Sequence, residues 1–334
     1  MKLKYIVNKF FQMMLMLLII TFITFIIFYV LPADPALRMC GKPCTPEKLQ
    51  SVKEFMQIDK SFIVQFLEFL HGIFFGRTYS SSTGGVAIVC DTPCLGYSFQ
   101  ESKTVTELIL ARIGSTFSIA IGASILAVII GVGLGILAAK YQDKLPDKLI
   151  NSFCVIGISS PAYLVGLIAV AIFGFKFAVF PSGGYVPLDQ NPYEWFHHLI
   201  LPWLILATIT SPSYIKLTRS GLLSAFSSDY YSMARSKGLS GRKLFINHGL
   251  RNCMLEVVTL FGLNLGGLLS GAVLTETVFS MNGLGKLMIQ AVGVTDISII
   301  LGCTLFSSFA ILLANFMTDA LYFVLDPRVV IKRA

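Results

Sequence analysis

The chain has 334 residues, of which 55% are hydrophobic and only 13% charged. A soluble domain is nearer one quarter charged. With several apolar runs of bilayer length, the composition therefore excludes an ordinary soluble enzyme and points to a polytopic, all-α membrane protein. The net charge of +8 does not mark a nucleic-acid binder, because the bases lie at the ends of apolar runs and not in one patch.

Lys2, Lys4 and Lys9 precede the apolar run Phe10–Leu31 and place the N-terminus inside. The run is too long for a cleavable signal and no Ala-x-Ala site follows, so it should remain as the first span. Pro32 and Pro35 stop it.

Residues 33–108 then read as a long external segment. It carries seven bases and eight acids, unlike the basic internal loops. Thr45-Pro46-Glu47 is a helix start, with Pro near the first helical position, and an amphipathic helix to Gln57 should follow. Ile63–Phe75 is apolar but too short to span; it should lie on the outer face or pack on the spans. Four cysteines sit here, Cys40, Cys44, Cys90 and Cys94, in two Cys-x3-Cys pairs. An even count outside suggests two disulfides. Pairing within one Cys-x3-Cys looks cramped, so crosslinks between the two segments are expected; a four-thiolate zinc site and free thiols are the alternatives.

Val105–Ile113 reads as the amphipathic approach to a second span, Ser115–Ala139. Gly131-x-x-x-Gly135 is a close-packing motif there; it is no nucleotide fingerprint, since no strand precedes it. After the internal loop Lys140–Lys148, the third span, Ile150–Phe175, contains Ser159-Ser160-Pro161. Pro161 should kink the helix, as plain packing or as a hinge or part of a translocation path. Lys176–His198 is external, with a turn cluster at Pro181-Ser182-Gly183-Gly184. Neighbouring His197 and His198 share no helix face, so no metal site is expected. The fourth span, Leu199–Leu217, has Pro202 in its first turn, and Lys216 and Arg219 mark its internal end.

Asp229–Asn252 is polar and basic between two apolar runs. Arg235, Lys237, Arg242, Lys243 and Arg251 face a single acid, Asp229. Tyr230–Lys237 suits a short helix. Gly238 should end it as a left-handed cap, Gly241 allows a second bend, and Leu244–Leu250 can start another helix. A solvated positive-inside loop would not need this helix–Gly–helix layout.

The fifth span, Met254–Thr275, carries Gly262-x-x-x-Gly266 and Gly267-x-x-x-Gly271 as packing faces. Glu256 near its inner end is costly without a partner, and Arg251 is the nearest candidate in sequence. The loop with Glu276-Thr277-Val278-Phe279 and Gly283-Leu284-Gly285 should fold back toward a pore. In the sixth span, Ile297–Leu325, Asn315, Asp319 and Tyr322 share one face and should look onto the interior or a watery path. Asp326-Pro327-Arg328 ends it. Sixteen bases fall inside on this reading, and the two short external loops hold only Lys176 and Lys286. Six spans with both termini inside follow. The expected organisation is an N-terminal helix (1–32), the external segment (33–108), a five-helix core (109–325) holding the cytoplasmic loop 220–252, and a cytoplasmic tail (326–334).

Asp229-Tyr230-x-x-x-Ala234-Arg235-Ser236-Lys237-Gly238-Leu239, followed by His248 and Arg251-Asn252, resembles the Glu-Ala-Ala loop of ABC importer permeases in the dipeptide, oligopeptide and nickel family. Ser236 stands where Ala is usual and the leading Glu is absent. Further similar segments lie along nearly the whole chain. Pro32-Ala33-Asp34-Pro35 resembles the family's Pro-Gly-Asp-Pro, Phe75-Gly76-Arg77 its Gly-Arg-Ser region, and Ser159-Ser160-Pro161 its Ser-x-Pro. Glu276–Gly285 matches with Asn282 in place of Pro, Asp296 takes the acidic position before the last span, and Glu256 departs from a usual Pro.

The resemblance implies a six-span permease pairing with a second, homologous permease subunit. Two cytoplasmic ATPase subunits would dock below, and an extracellular or lipid-anchored substrate-binding protein would deliver peptide. It also implies that Tyr230, Tyr231, Ala234 and Leu239 enter a cleft on an ATPase, with Arg235 and Lys237 pairing at its rim and Gly238 ending the helix. Pro161, Glu276, Asn315 and Asp319 are the candidates for the path or gate. A bacterial inner-membrane location and uptake of dipeptides or oligopeptides follow, with a nickel or metallophore importer as the alternative.

No Gly-x4-Gly-Lys-Ser/Thr run occurs, so the chain is expected to be no enzyme and to bind no cofactor of its own, with ATP and Mg held by partner ATPase chains. A membrane enzyme would have only Asp319, Asn315 and Glu256 to work with. A channel would want a charged pore ring that the sequence lacks.

Overall fold

A computed structural model of the protein describes residues 2–29, 35–40, 44–56, 60–79 and 88–325. In chain order the helices are α1 (Lys2–Tyr29), α2 (Pro35–Cys40), α3 (Pro46–Met56) and α4 (Phe62–Phe75). The strands β1 (Arg77–Tyr79), β2 (Ile88–Cys90), β3 (Tyr97–Ser98) and β4 (Lys103–Thr104) follow. Then come α5 (Val105–Lys140), α6 (Leu145–Ser159), α7 (Ala162–Ala169) with a π-helical continuation Val170–Lys176, and α8 (Pro192–Phe226). The last elements are α9 (Asp229–Ser236), α10 (Gly241–Leu244) with a π-helical segment Phe245–Leu250, α11 (Arg251–Leu269), α12 (Val273–Val278), α13 (Leu284–Val294) and α14 (Ile297–Leu325). The expected breaker Pro32, the tail 326–334 and the side chain of Tyr322 lie outside the described residues.

Four helices are long and apolar enough to cross a membrane, and the number is six if each of two bent helix pairs counts as one span. The described residues group into two compact units, Met1–Thr116 with Asn282–Leu312 and Phe117–Met281 with Leu313–Ala334. The domain boundary expected at residue 108 falls inside α5, because Val105–Ile113 continues into the second span without a break.

In the first unit, α4 is too short to span and lays one face on α1. Phe25, only 1% exposed, packs with Phe62, Phe66 and Phe69, and Phe22 meets Phe62 and Phe66 edge to face. α3 starts where the sequence places it, with Thr45 Oγ1 accepting from Lys48 N at 3.3 Å. Two small antiparallel hairpins, Arg77↔Cys90 to Tyr79↔Ile88 and Tyr97↔Thr104 to Ser98↔Lys103, are the additions to an otherwise helical reading.

The start of α5, α13 and the first turns of α14 share a core that includes Val105, Ile109, Leu287, Ala291, Ile300 and Cys303. Asp296 caps α14: its carboxylate accepts from Ile299 N at 3.3 Å and from the Ser98 hydroxyl, which ties the β3–β4 hairpin to the helix start. Burial of Asp296, 2% exposed, raises its pKa despite those hydrogen bonds.

The disulfides differ from expectation. Cys40 pairs with Cys44 and Cys90 with Cys94, each within its own Cys-x3-Cys. The pairing is not cramped: the Cα atoms are 5.5 Å apart in both, within the range a disulfide needs. Each bridge joins residues four apart and does not close the long loop, so it constrains the unfolded chain less than a crosslink between the two segments would. Peptide mapping of unreduced protein should return two intrasegment crosslinks; peptides joining residues 40–44 to 90–94 would contradict this.

In the second unit, α8 begins seven residues before the expected Leu199. Asn191 Oδ1 accepts from Tyr193 N and Glu194 N at 3.1 and 3.3 Å, and Pro192 fills the first helical position. Pro202, expected in the first turn, is therefore interior, as is Pro212. The Gly131/Gly135 face closes as expected. A Cβ on Gly131 would collide with Tyr214, and one on Gly135 would lie 2.6 Å from Thr218 Cβ, so α5 and α8 touch along one i, i+4 seam. Gly262 likewise faces Thr318 of α14, whereas Gly267 meets nothing within 4 Å. The fifth span stops at Leu269, because Ser270 caps it and Gly271 turns away at φ +124°; α12 is a separate helix.

His197 and His198 are engaged separately, with Val179 O at 3.0 Å and Glu194 O at 2.8 Å. Ser118 of α5 bonds the N-terminal part of α8. It accepts from Trp195 Nε1 through its hydroxyl at 3.1 Å and from Trp203 Nε1 through its carbonyl at 2.9 Å.

Candidate functional site

α9 forms where the sequence places it. Ser228 is extended (φ −83°, ψ 149°) and starts the helix, Asp229 lies in the first turn and Arg235 in the last, which complements the helix dipole. Lys237 N donates to Met233 O at 3.2 Å and Gly238 N to Arg235 O at 3.0 Å. Gly238 sits at φ +77°, and a Cβ added there would meet nothing within 4 Å, so backbone conformation alone demands glycine.

The segment is folded firmly onto the end of α8. Tyr231 packs on Phe226 with ring centroids 5.2 Å apart, and Tyr230 Oη donates to His248 O at 3.3 Å. Gly249 fits against Phe226 and Leu222. Beneath lies a core of Ala139, Leu222 and Cys253, joined by Phe226, Phe245 and Leu250. Ala234 is only 8% exposed, the one buried residue of α9. It does not present itself to a partner as expected; it spaces α9 against its own chain.

The outward face is instead Tyr230 at 41%, Met233 at 62% and Leu239 at 39% exposure. Arg235, Lys237, Arg242, Lys243 and Arg251 are also exposed. The family resemblance does not single out Met233, though its i, i+3, i+7 spacing with Tyr230 and Lys237 carries the signal. The result is a segment that exposes both apolar side chains and five bases.

The path candidates are distributed. Pro161 stands at the break between α6 and α7, which meet at 101°. The expected kink is thus a sharp elbow. α7 leans on α12: Gly166 faces Val278, and Val165, Ala169 and Val170 share a core with Phe279 and Met281. Glu276 lies within α12 at 0% exposure, and Met281 N donates to its carbonyl at 2.8 Å. Asn315 and Asp319 are half-buried one turn apart on α14. Glu256 is exposed on α11, and no salt bridge joins it to Arg251 among the described residues.

Two family models cover the chain. Residues 2–120 match the N-terminal part of the binding-protein-dependent transport system membrane component, and residues 131–331 match the binding-protein-dependent transport system inner membrane component itself. The chain belongs to that family. By family it is a transport permease and a multi-pass inner-membrane subunit.

Among similar proteins, a putative peptide transport system permease protein of Brucella abortus is 32% identical over 90% of both chains. The probable D,D-dipeptide transport system permease protein DdpB of Escherichia coli is 30% identical over 90% of both. The oligopeptide transport system permease protein AppB of Bacillus subtilis is 32% identical over 89% of this permease and 90% of that protein. An inward-facing structure of the MetNI methionine ABC transporter aligns with a TM-score of 0.49 at 14% identity, covering 66% of this permease and 97% of that chain.

Proposed function

We propose that this permease is one of two homologous membrane subunits of an ATP-driven importer for dipeptides or oligopeptides. A binding protein delivers the substrate from outside, and two ATPase chains dock on α9 from the cytoplasm. The observation that carries the reading is the exposure of Tyr230, Met233 and Leu239 together with five bases in a short segment that directly follows a spanning helix. Such a face suits a cleft with an acidic edge, since apolar anchors supply affinity and rim charges steer the encounter. The peptide substrate is supported by the names of the relatives.

With α9 inside, the sixteen bases fall on the same side and both termini are cytoplasmic. Uptake of labelled dipeptide, hexapeptide and nickel chelate in cells with and without the permease tests this. ATP-dependent loss of peptide uptake alone is the expected result, and loss of chelate uptake alone would reverse the assignment.

Gly238 provides a narrower check. Valine at a left-handed position costs about 1–2 kcal/mol or more, whereas asparagine tolerates it. Gly238→Val should lower substrate-stimulated ATP hydrolysis severalfold in an assembled complex, and Gly238→Asn should stay near wild type. Equal activity of the two variants would remove any need for the left-handed cap.

A further inference from the structure

No sequence pattern pairs Asp147 with Arg219. In the structure Asp147 is 2% exposed at the start of α6, and its carboxylate is fully engaged. Arg219 of α8 donates through Nε to Oδ1 at 2.7 Å and through Nη2 to Oδ2 at 2.6 Å. Asn151 Nδ2 adds a bond to Oδ1 at 2.9 Å and Asp143 N one to Oδ2 at 3.0 Å. A two-pronged Arg–carboxylate contact fixes orientation as well as distance. Removing one partner would strand a buried charge.

The clamp is one end of a longer seam between α6 and α8. At the other end, a Cβ on Gly157 would lie 2.9 Å from Pro212 Cγ and 3.2 Å from Thr208 O. Pro212 has no N–H, so the α8 ladder lacks its bond to Thr208 O at that level. Three residues after Gly157, the chain breaks at Ser160-Pro161 into the 101° elbow. Each helix thus carries a proline interruption, Pro212 against Gly157 on one side and Pro161 four residues further along on the other. Beyond them, α7 belongs with Leu201, Ile205 and Leu206 of early α8 and with α12. On the near side, α8 runs past Arg219 to Phe226, which carries Tyr231 and Phe245 of the α9–α10 segment.

We propose that α6 and the part of α8 beyond Pro212 form one rigid lever, riveted by Asp147–Arg219. It carries displacement of the α9 segment to a hinge line at Ser160-Pro161 and Pro212. Asp147 and Arg219 are positioning residues: they hold the two helices in register so that force on α9 reaches the elbow and is not lost as sliding between helices. Interfaces of this kind shift as bodies and do not deform continuously. The proposal rests on the reading of α9 as the ATPase contact.

The test uses the reconstituted permease pair with its ATPases and binding protein. Spin labels on exposed Ser152 (α6) and Ser220 (α8) report the lever, and a label on Leu164 (α7), paired with Ser152, reports the elbow. On ATP binding the 152–220 distance should change by less than about 2 Å, the scale of shifts between packed helices, while the 152–164 distance changes by more. A larger change in 152–220 than in 152–164 would overturn the lever.

Function is read in Asp147→Asn and in the charge-free pair Asp147→Leu/Arg219→Met, which leaves no buried ion unpaired and so preserves folding. The charge-free pair should co-purify with the ATPases at wild-type level and hydrolyse ATP, yet its uptake per ATP should fall about tenfold, within the range of coupling between linked sites; Asp147→Asn, which leaves the Arg219 charge without its counter-ion, should assemble less well than the pair. Wild-type uptake per ATP in the charge-free pair would overturn the proposal. So would loss of assembly in the charge-free pair, which a purely structural salt bridge would give. Failure of the underlying reading looks different: Met233→Asp would then leave ATPase co-purification intact.

Discussion

Met233→Asp is expected to abolish co-purification of the permease with its ATPase chains and to reduce substrate-stimulated ATP hydrolysis to background. Met233 is the most exposed apolar residue on α9, at 62%, and is flanked by Tyr230 and Lys237 on the same face. An apolar anchor at the centre of an interface is worth upwards of about 2 kcal/mol, and burying an unpaired carboxylate in its place adds a desolvation cost. The variant should still insert and fold, because the side chain is exposed. Ala234→Trp is a poorer probe. Ala234 is buried against its own chain, so overfilling there would distort the segment itself. Unchanged co-purification by Met233→Asp would remove α9 as the contact.

The second large effect is on the membrane-embedded core. Gly131→Leu should prevent accumulation of folded permease. A side chain there collides with Tyr214, which is fully buried and bonded through Oη to Asn264 Nδ2 at 3.0 Å. It also approaches Ser211 O at 3.2 Å. Overpacking a tight core costs typically about 1–3 kcal/mol, and more where backbone is the obstacle. Gly133, on the same helix with nothing within 4 Å, is the control: Gly133→Leu should be tolerated. Equal accumulation of both variants, measured by detergent-solubilised yield and melting temperature, would mean that the α5–α8 seam is looser than the geometry indicates.

The helical spans, the Gly131/Gly135 seam and the α9–Gly238 cap are legible in the sequence because each rests on local chemistry. Apolar length, small residues at i and i+4, and a glycine after an unbroken helical run act within a few residues. The features that are not legible depend on how separate segments meet. Burial of Ala234 follows from α9 lying on the Phe226 end of α8, which no single-segment pattern encodes. Arg219 reads as an ordinary positive-inside residue until Asp147, seventy-two positions earlier, is placed against it. α8 starts earlier than expected because hydropathy marks Leu199, while the helix is begun by the Asn191 cap and Pro192. The disulfide pairing differs because two cysteines four apart look too close on paper, although a Cα–Cα separation of 5.5 Å is all that their sulfurs need to bond.

The most direct test of the account is transport by purified components. The permease and its homologous partner are reconstituted in proteoliposomes with both ATPases, binding protein and labelled peptide. Peptide should accumulate only with ATP, with binding protein on the opposite face and with the ATPases present, and Met233→Asp should lose accumulation entirely. Peptide accumulation in vesicles holding the permease pair without ATPases, or with the Met233→Asp variant at wild-type rate, would contradict it.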